Sequence, residues 1–322
     1  MSIEKRKKAG TKRSRVHPSH NQQITLSVIG AGRLGTALAI SLARCGYRVE
    51  AVVARRLNHA RRAARLVPGH PQALSVTQLD SLPLSDLLLI TTPDDAIEQA
   101  AACLAASIIN TGRKGQRRMA LHCSGALSSG ILSSLSDVNF HVGAMHPLVS
   151  ISDPLHGAER LRGAYYCVEG DPAAVRMARK VVRELKGHSF SINSNDKALY
   201  HAAAVMASGH MVALFDIALE MLALCGLKEK EAQAVLLPLV QSILENIRER
   251  DPAHALTGTF ARADTATMRS HLAALRSSEK TNDALEAYRL LGRRSLQLAE
   301  RNGIDAEALK EIKSALEEVD QY

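Results

Sequence analysis

Apolar and polar positions divide the chain into two parts with different periodicities. Up to about residue 192, short apolar runs alternate with stretches in which apolar residues recur every three or four positions. This arrangement predicts strands that alternate with helices in a parallel sheet. From residue 195 onward, alanine and leucine recur at helical spacing without strand-length runs, which predicts helices at about 195–224, 228–249, 264–277, 280–301 and from 305. We therefore predict an α/β fold, a doubly wound parallel sheet followed by an all-helical second domain.

The best-defined unit of this pattern covers residues 24–56, where an apolar run, a glycine-rich turn, a helical segment and a second apolar run follow one another. Gly30, Gly32 and Gly35 have the G-x-G-x-x-G spacing of a dinucleotide-binding Rossmann turn. The first glycine permits the tight turn, the second lets backbone N–H groups approach a pyrophosphate, and the third lets the helix pack closely on the strand. We therefore expect cofactor contacts along the whole turn: Gly30, Ala31, Gly32, Arg33, Leu34 and Gly35.

The end of the second strand indicates which dinucleotide binds. NAD sites carry an acid there to hold the ribose 2′-hydroxyl, whereas NADP sites leave room for a phosphate and a cation. This chain has Ala54, Arg55 and Arg56 there, and Glu50 falls near the start of the strand. NADP(H) is therefore the expected cofactor, with Arg55 as the first phosphate contact and Arg56 as support. The alternative is a pair of solvated arginines that begin a basic helix.

The next buried run, residues 87–90, ends in Thr91, Thr92 and Pro93. In a doubly wound sheet the carboxyl ends of the strands face the ligand, so these three residues are expected beside the cofactor. They also suit a helix start, with Thr92 as cap and Pro93 at the first helical position. Both roles are compatible.

Ser124 and His146 follow the strands predicted at residues 118–122 and 140–145, so they fall at the same edge of the sheet. Ser124 suits a hydrogen-bond donor to a substrate oxygen and, equally, a cap for a helix that begins near Leu127. His146 is expected to position the substrate rather than carry a proton.

Length and charge set the domain organisation. A chain of 322 residues exceeds one ordinary core. We expect a disordered basic tail at 1–22, an NADP-binding domain at 23–150 and a second domain at 151–322, whose strand–helix–strand to about residue 192 completes the sheet. The formal net charge of +9 is concentrated in the tail: residues 1–20 hold seven Lys or Arg and one acid, whereas the rest holds 34 bases and 31 acids. Without an aromatic residue for base stacking, this tail is not expected to bind nucleic acid.

The cysteines indicate the compartment. They are scattered without a C-x-x-C pair, which is typical of free thiols in a reducing cytosol and not of a disulfide framework or a zinc site, so no metal is expected. No apolar run reaches membrane-spanning length, and no secretory segment follows the N-terminal charges. We expect a soluble, cytoplasmic protein. The five cysteines are Cys45, Cys103, Cys123, Cys167 and Cys225.

Several segments resemble bacterial Rossmann-like oxidoreductases whose second half is a domain of unknown function. They are HCSGAL at 122–127, MHPL at 145–148, KALYHAAAVMASGHMVAL at 197–214, PLV at 238–240 and ALTGTFARADTATMRSHL at 255–272. Such proteins are similar in turn to β-hydroxyacid dehydrogenases, ketopantoate reductase and pyrroline-5-carboxylate reductase. The resemblance implies a first domain that binds NAD(P) and a helical domain that closes the active site and often dimerises.

The resemblance also implies catalytic residues. Hydroxyacid dehydrogenases place a lysine one helical turn before an asparagine, and the matching residues here are Lys197 and His201. Lys197 would protonate or stabilise the oxygen that gains charge during hydride transfer, since burial lowers a lysine pKa toward neutrality. His201 would orient the substrate or relay the proton. Ser208 extends the same helix face and is a candidate substrate contact.

Arg262 and Asp264 fall between two predicted helices. Arg262 is a candidate clamp for an anionic substrate, whereas Asp264 is expected to cap the following helix. The second domain also carries more apolar positions than one face of each helix can bury, as in residues 235–240. Because such a helix needs cover, we expect a homodimer formed through this domain.

These features predict an NADP-dependent oxidoreductase. It would act by hydride transfer on a small polar substrate that is 2-oxo acid-like, hydroxy acid-like or imine-like. The alternative is a non-catalytic protein that binds NADP as a sensor or scaffold.

Overall fold

Residues 23–112 and 117–317 are described by the computed structural model; the basic tail predicted at 1–22 lies outside the described residues. One eight-stranded sheet dominates the first part of the chain, with the strand order β3-β2-β1-β4-β5-β6-β7-β8. The chain first adds strands on one side of β1, up to β3, and then on the other side, from β4 onward. This change in the order of addition is that of a doubly wound fold, which confirms the predicted fold class. The strands are β1 Thr25–Ile29, β2 Arg48–Ala54, β3 Gln72–Ser75, β4 Leu87–Ile90, β5 Arg118–His122, β6 Phe140–Pro147, β7 Tyr165–Gly170 and β8 His188–Phe190.

One strand pair departs from the parallel arrangement. β6 and β7 are antiparallel, with Pro147 opposite Tyr166 and Gly143 opposite Gly170, whereas the other neighbouring strands are parallel. Residues 148–164 return the chain to the end of the sheet where β6 stops, and the Leu148 N–H donates to the Tyr165 carbonyl at 2.8 Å. β7 therefore begins at the edge of the sheet at which β6 ends.

The chain divides into two compact units, the first ending at Ala204 and the second beginning at Val205. The boundary expected at residue 150 precedes β7 and β8. Because those two strands belong to the sheet, the first unit continues beyond them. Seven α-helices begin within the described residues of this unit: α1 Arg33–Arg44, α2 Leu57–Leu66, α3 Asp94–Asn110, α4 Ser133–Ser136, α5 Pro154–Arg160, α6 Pro172–Glu184 and α7 Lys197–Met206.

Helices cover both faces of the sheet. Strand residues alternate between the faces, and because apolar side chains lie on both, each face needs cover. In β4, Leu87 and Leu89 belong to the cluster that includes α1 and α6, while Leu88 and Ile90 belong to the cluster that includes α3. All four side chains are buried. A strand that is apolar on both sides is thus fully enclosed, as its continuous apolar run predicts.

The second unit is helical, and the described residues after β8 contain no strand. The helix predicted at 195–224 is interrupted at Ala207 and Ser208, because α7 ends at Met206 and α8 begins at Gly209, a residue that disfavours a helix interior. A small core joins α11, α12 and α13 around Met268. The helices are α8 Gly209–Leu224, α9 Glu229–Glu249, α10 Pro252–Ala255, α11 Thr265–Arg276, α12 Asn282–Arg301 and α13 Ala306–Glu317.

One helical stretch, Ser194–Leu224, has the length and mean hydropathy of a membrane span, and none of its most apolar window is buried. The stretch meets the criteria for a membrane span by length and composition only. The stretch is interrupted at Ala207 and Ser208, and it contains the buried, ion-paired Lys197. Because a single stretch of this kind is weak evidence for a membrane span, the expectation of a protein that does not enter a membrane stays a prediction.

Candidate functional site

The glycine turn between β1 and α1 leaves no space for a side chain at two of its three glycines, Gly30 and Gly35. Gly30 has a φ of +104°, and an added Cβ would lie 2.5 Å from the Thr91 carbonyl carbon. A Cβ at Gly35 would overlap the Gly30 carbonyl oxygen and the Thr91 hydroxyl, so α1 packs against the turn and β4 without space for a side chain. At Gly32, by contrast, a Cβ would meet nothing within 4 Å. The turn is therefore tight on its protein side and open on the other.

A cavity of about 630 Å³ lies on the open side of this turn. Its walls come from the turn, the end of β2, the start of α2, the segment after β3, and the loop from β4 into α3. The Thr92 hydroxyl on this wall is buried and has no hydrogen-bond partner among the described residues. A ligand that accepts or donates a hydrogen bond there would satisfy it.

Seven of the predicted cofactor contacts line this cavity, and the other four do not. Arg33 lines an adjoining cavity, whereas Leu34, Gly35 and Arg56 line neither. Leu34 packs instead against the hydrophobic core. Sequence reasoning did not identify His59, Gln99 or Cys103, which also line the cavity. The seven residues are Gly30, Ala31, Gly32, Arg55, Thr91, Thr92 and Pro93.

Ser124 sits at the end of β5, where its hydroxyl is fully occupied. It donates to Asp94 Oδ2 at 2.8 Å and accepts from the N–H groups of Ala126 and Leu127 at 3.2 and 3.1 Å. The capping alternative for Ser124 is therefore the one that describes its contacts, although the residues after it form a turn that leads into a 3₁₀ helix at Ser129–Leu132. The single hydroxyl proton points to Asp94 and leaves none for a substrate in this conformation.

Lys197 begins α7, and its side chain is only 1% exposed. The ammonium donates to the Ser124 carbonyl at 3.4 Å and lies 3.6 Å from Glu169 Oε1. Glu169, on β7, is held in turn by the Ser129 N–H and hydroxyl at 2.7 and 2.8 Å. The buried charge is thus paired, and the pair ties α7 to both β7 and the loop after β5.

His146, near the end of β6, meets two residues of α7. Its Nδ1 shares a hydrogen bond of 2.7 Å with the Tyr200 hydroxyl, and its ring lies edge-on to the His201 ring with 5.7 Å between the centroids. Gly125 makes this approach possible, because an added Cβ there would lie 2.5 Å from His201 Cδ2 and 2.9 Å from His146 Cε1. Ser124, His146, Lys197 and His201 therefore form one cluster.

Burial and neighbouring positive charge keep His146 and His122 neutral at pH 7. Burial, together with the charges of His201 and Lys197, lowers the pKa of His146 to about 4. Burial and the Lys197 ammonium likewise lower the pKa of His122 to about 4. Burial raises the pKa of Tyr200, so its hydroxyl keeps its proton at neutral pH. The cluster can therefore hold a proton on Tyr200 beside a neutral imidazole.

The two remaining predicted substrate contacts, Ser208 and Arg262, belong to the second unit, and their roles stay predictions. Asp264 caps α11 as expected, because its carboxylate accepts from the Thr267 N–H at 3.0 Å and from the Thr267 hydroxyl at 2.7 Å. All five cysteines are free.

Three polar residues of the cluster escaped sequence reasoning: Asp94, Glu169 and Tyr200. Asp94 directly follows the predicted cofactor contact Pro93, and Tyr200 falls inside the segment quoted at 197–214. Tyr200 lies three residues after Lys197, a spacing that places both on one helix face and signals a shared role. Glu169 has no such local signal, because it reaches the cluster only through the pairing of β7 with β6.

Comparison with protein families assigns both parts of the chain. Residues 11–147 match a Rossmann-like domain, and residues 164–295 match a domain of unknown function, DUF2520. The chain therefore joins these two domains, which confirms the resemblance found in its motifs. A comparison with curated proteins finds no match.

Solved structures share the fold at low sequence identity. A protein of Thermotoga maritima is 23% identical, with a TM-score of 0.64 over 86% of this chain and 99% of its own. A Bacteroides fragilis protein described as a candidate NADP oxidoreductase is 21% identical, with a TM-score of 0.68 over 85% of this chain and 98% of its own. An imine reductase of Streptomyces aurantiacus is 15% identical, with a TM-score of 0.50 over 92% of this chain and 100% of its own.

Proposed function

We propose that this Rossmann-like chain is an NADP-dependent oxidoreductase that transfers hydride to or from a C–O or C–N centre of a small polar substrate. One observation carries the proposal: the nucleotide-sized cavity and the polar cluster are adjacent and directly linked. Pro93 lines the cavity, and the next residue, Asp94, accepts the hydrogen bond from Ser124. A cofactor in the cavity would therefore lie beside the only cluster that combines a buried cation, neutral imidazoles and a tyrosine in the described part of the first unit.

The residues present fit a dinucleotide. Gly32 leaves space for a pyrophosphate at the start of α1, where free N–H groups favour an anion, and the unpartnered Thr92 hydroxyl faces the same cavity. Ala31, Pro93 and Arg55 would contact the remainder of the cofactor. When bound, the nicotinamide supplies or accepts the hydride.

The chain's own residues would manage charge and protons. Tyr200 OH, bonded to His146 Nδ1, is placed to hold the proton that a substrate oxygen or nitrogen takes up. When Tyr200 gives up this proton, the neutral imidazole of His146, with its own proton on Nδ1, would donate the shared hydrogen bond to the Tyr200 oxygen. Lys197 supplies a positive field that favours the developing anion, and it does so from behind the Ser124 carbonyl. His201, whose ring lies edge-on to that of His146, would orient the substrate.

The test combines binding with turnover. We expect NADPH to bind the wild-type protein and to be oxidised with a 2-oxo acid, an aldehyde or a cyclic imine. His146→Asn should reduce turnover by about 10²-fold or more while NADPH affinity stays within twofold. His156→Asn is the matched control, because His156 lies on α5 and its side chain is 85% exposed. A wild-type protein that binds neither NADPH nor NADH would refute the proposal.

The second candidate function is a sensor that binds NADP(H) without turnover. The burial of Lys197 favours it, because an ammonium that is 1% exposed does not itself reach a substrate in this conformation. Tight NADPH binding without oxidation of any substrate class would support the sensor over the enzyme.

We also propose that the protein is cytoplasmic and a homodimer. Five free thiols suit a reducing compartment. Leu199, Val212 and Val235, on three successive helices, are 75%, 70% and 58% exposed. A second copy of the chain would remove such side chains from water.

A further inference from the structure

A second cavity adjoins the proposed cofactor cavity. It measures about 280 Å³ and lies between the start of α1 and one face of α2. Ala31, Gly32 and His59 line both cavities, so the two spaces meet at the glycine turn. A ligand in the larger cavity can therefore extend a substituent into the smaller one.

The smaller cavity has two arginines and a histidine in a wall whose other residues are uncharged. Arg33 on α1, with His59 and Arg62 on α2, contributes to its wall, and none of its lining residues is acidic. Among the described residues these three side chains form no salt bridge, whereas Arg44 and Arg48 nearby along the chain pair with Glu159 and Glu50. Three cationic or hydrogen-bonding side chains around one small space fit a phosphate group.

The position of Arg56 argues against the arginine pair expected from the sequence. Arg55 lines the larger cavity, but Arg56 lines neither. Arg56 occupies the cap position of α2, with an exposed side chain that makes no capping bond. The next turn of α2 brings His59 and Arg62 to the cavity instead.

We infer that the 2′-phosphate of NADP(H) is bound in the smaller cavity by Arg33, His59 and Arg62, which thus determine the preference for NADPH over NADH. This inference rests on the proposed cofactor and names the residues that select it. The same cations would also attract the pyrophosphate, which both cofactors contain. A comparison of the two cofactors separates these sources of phosphate.

The experiment measures dissociation constants of the full chain for NADPH, NADH, 2′,5′-ADP and 5′-AMP. We expect the wild type to bind NADPH and 2′,5′-ADP at least tenfold tighter than their partners without the 2′-phosphate. Arg33→Gln and Arg62→Gln should each weaken NADPH binding by about tenfold or more, with NADH affinity within twofold. His59→Gln should cost less, because glutamine retains a hydrogen-bond donor. Arg62→Lys should restore part of the loss.

Arg61→Gln and Arg56→Gln are the matched controls, since both residues are exposed arginines at the start or on the outer side of α2 and line neither cavity. Melting curves verify that each variant folds. Equal losses for NADPH and NADH would assign the residues to the pyrophosphate and overturn the inference. So would an Arg61→Gln or Arg56→Gln loss as large as that of Arg62→Gln, or a wild type that does not distinguish 2′,5′-ADP from 5′-AMP.

The inference and the proposed function fail separately. If the protein distinguishes 2′,5′-ADP from 5′-AMP through Arg62 but oxidises NADPH with no substrate, the phosphate site is supported and the proposed oxidoreductase activity is refuted. If the protein oxidises NADH with a substrate and shows no preference for NADPH, the oxidoreductase activity is supported and the 2′-phosphate site is refuted.

Discussion

Helices α1 and α8 are both rich in apolar residues, yet eight of the 12 residues of α1 are buried and none of the 16 residues of α8 is. α1 packs against the sheet with small residues such as Gly35 and Ala37, which let the helix approach closely. α8 carries large side chains such as Met211, Val212 and Leu214, which stay exposed. Similar apolar content therefore accompanies a buried helix in one place and an exposed one in the other.

The two helices differ in whether other described residues bury their apolar side chains. The sheet unit covers its apolar helices with its own chain, and even its buried ionic groups are paired within the unit. α8 is apolar most of the way round, and the described residues bury none of its side chains. We therefore expect the stability of the first unit to depend on internal contacts and, in the proposed homodimer, that of α8 to depend on contacts with the second copy.

The largest effect is expected from the buried ion pair. Lys197→Met removes the ammonium beside Glu169 and leaves a largely buried carboxylate without its cation, so the unfolding free energy should fall by about 3–5 kcal/mol. Glu169→Gln in the same chain should restore part of that loss. Lys230→Met, at an exposed position of α9, is the control and should change stability by no more than about 0.5 kcal/mol. Urea unfolding measures all three, and an unchanged Lys197→Met midpoint would contradict the pairing.

Acid should be the next most effective probe of the sheet unit. His122 and His146 have folded pKa values of about 4, whereas an unfolded histidine titrates near 6.5. Between these values the unfolded chain binds more protons, so the stabilisation is fully present above about pH 6.5 and is lost as pH falls toward 4. The expected slope is about 1.4 kcal/mol per pH unit for each histidine. His122→Asn should flatten this dependence in urea unfolding at several pH values, and an unaltered slope would contradict its burial.

A smaller effect is expected at α8. Val212→Asp places a charge on a surface that is 70% exposed in the single chain, so a monomer should tolerate it within about 0.5 kcal/mol. In a homodimer covered at α8 the charge would be desolvated, and the dimer dissociation constant should rise by about tenfold or more, equivalent to about 1.4 kcal/mol. Sedimentation velocity measures the change, with Gln241→Asp on α9 as the control. A wild-type protein that is monomeric at micromolar concentration would refute the proposed homodimer.

Local patterns sufficed for much of the fold. The glycine turn, the buried run of β4 and the helices α9 and α11 follow from periodicity and turn residues, because these signals lie within a few neighbouring positions. The reversal of β7 does not, since its direction depends on the path of residues 148–164 rather than on the strand sequence.

The candidate site was only partly predictable for the same reason. Ser124 and His146 could be placed at the sheet edge because strand ends are visible in the sequence. The partnership of Lys197 with Glu169 could not, because it joins α7 to a strand whose register is set by tertiary pairing. Arg56, expected beside the phosphate from its sequence position, lines neither cavity, and its role as a cofactor contact stays a prediction.

Gly125 restricts how this site can change during evolution. Any side chain at that position would displace His146 or His201, because a Cβ alone would contact both rings too closely. Homologous chains that keep both imidazoles should therefore keep glycine at this position, and chains that lose it should also have lost one of the two histidines. Although glycine has no functional side chain, its presence at this position in a relative would then indicate that the histidine pair is intact.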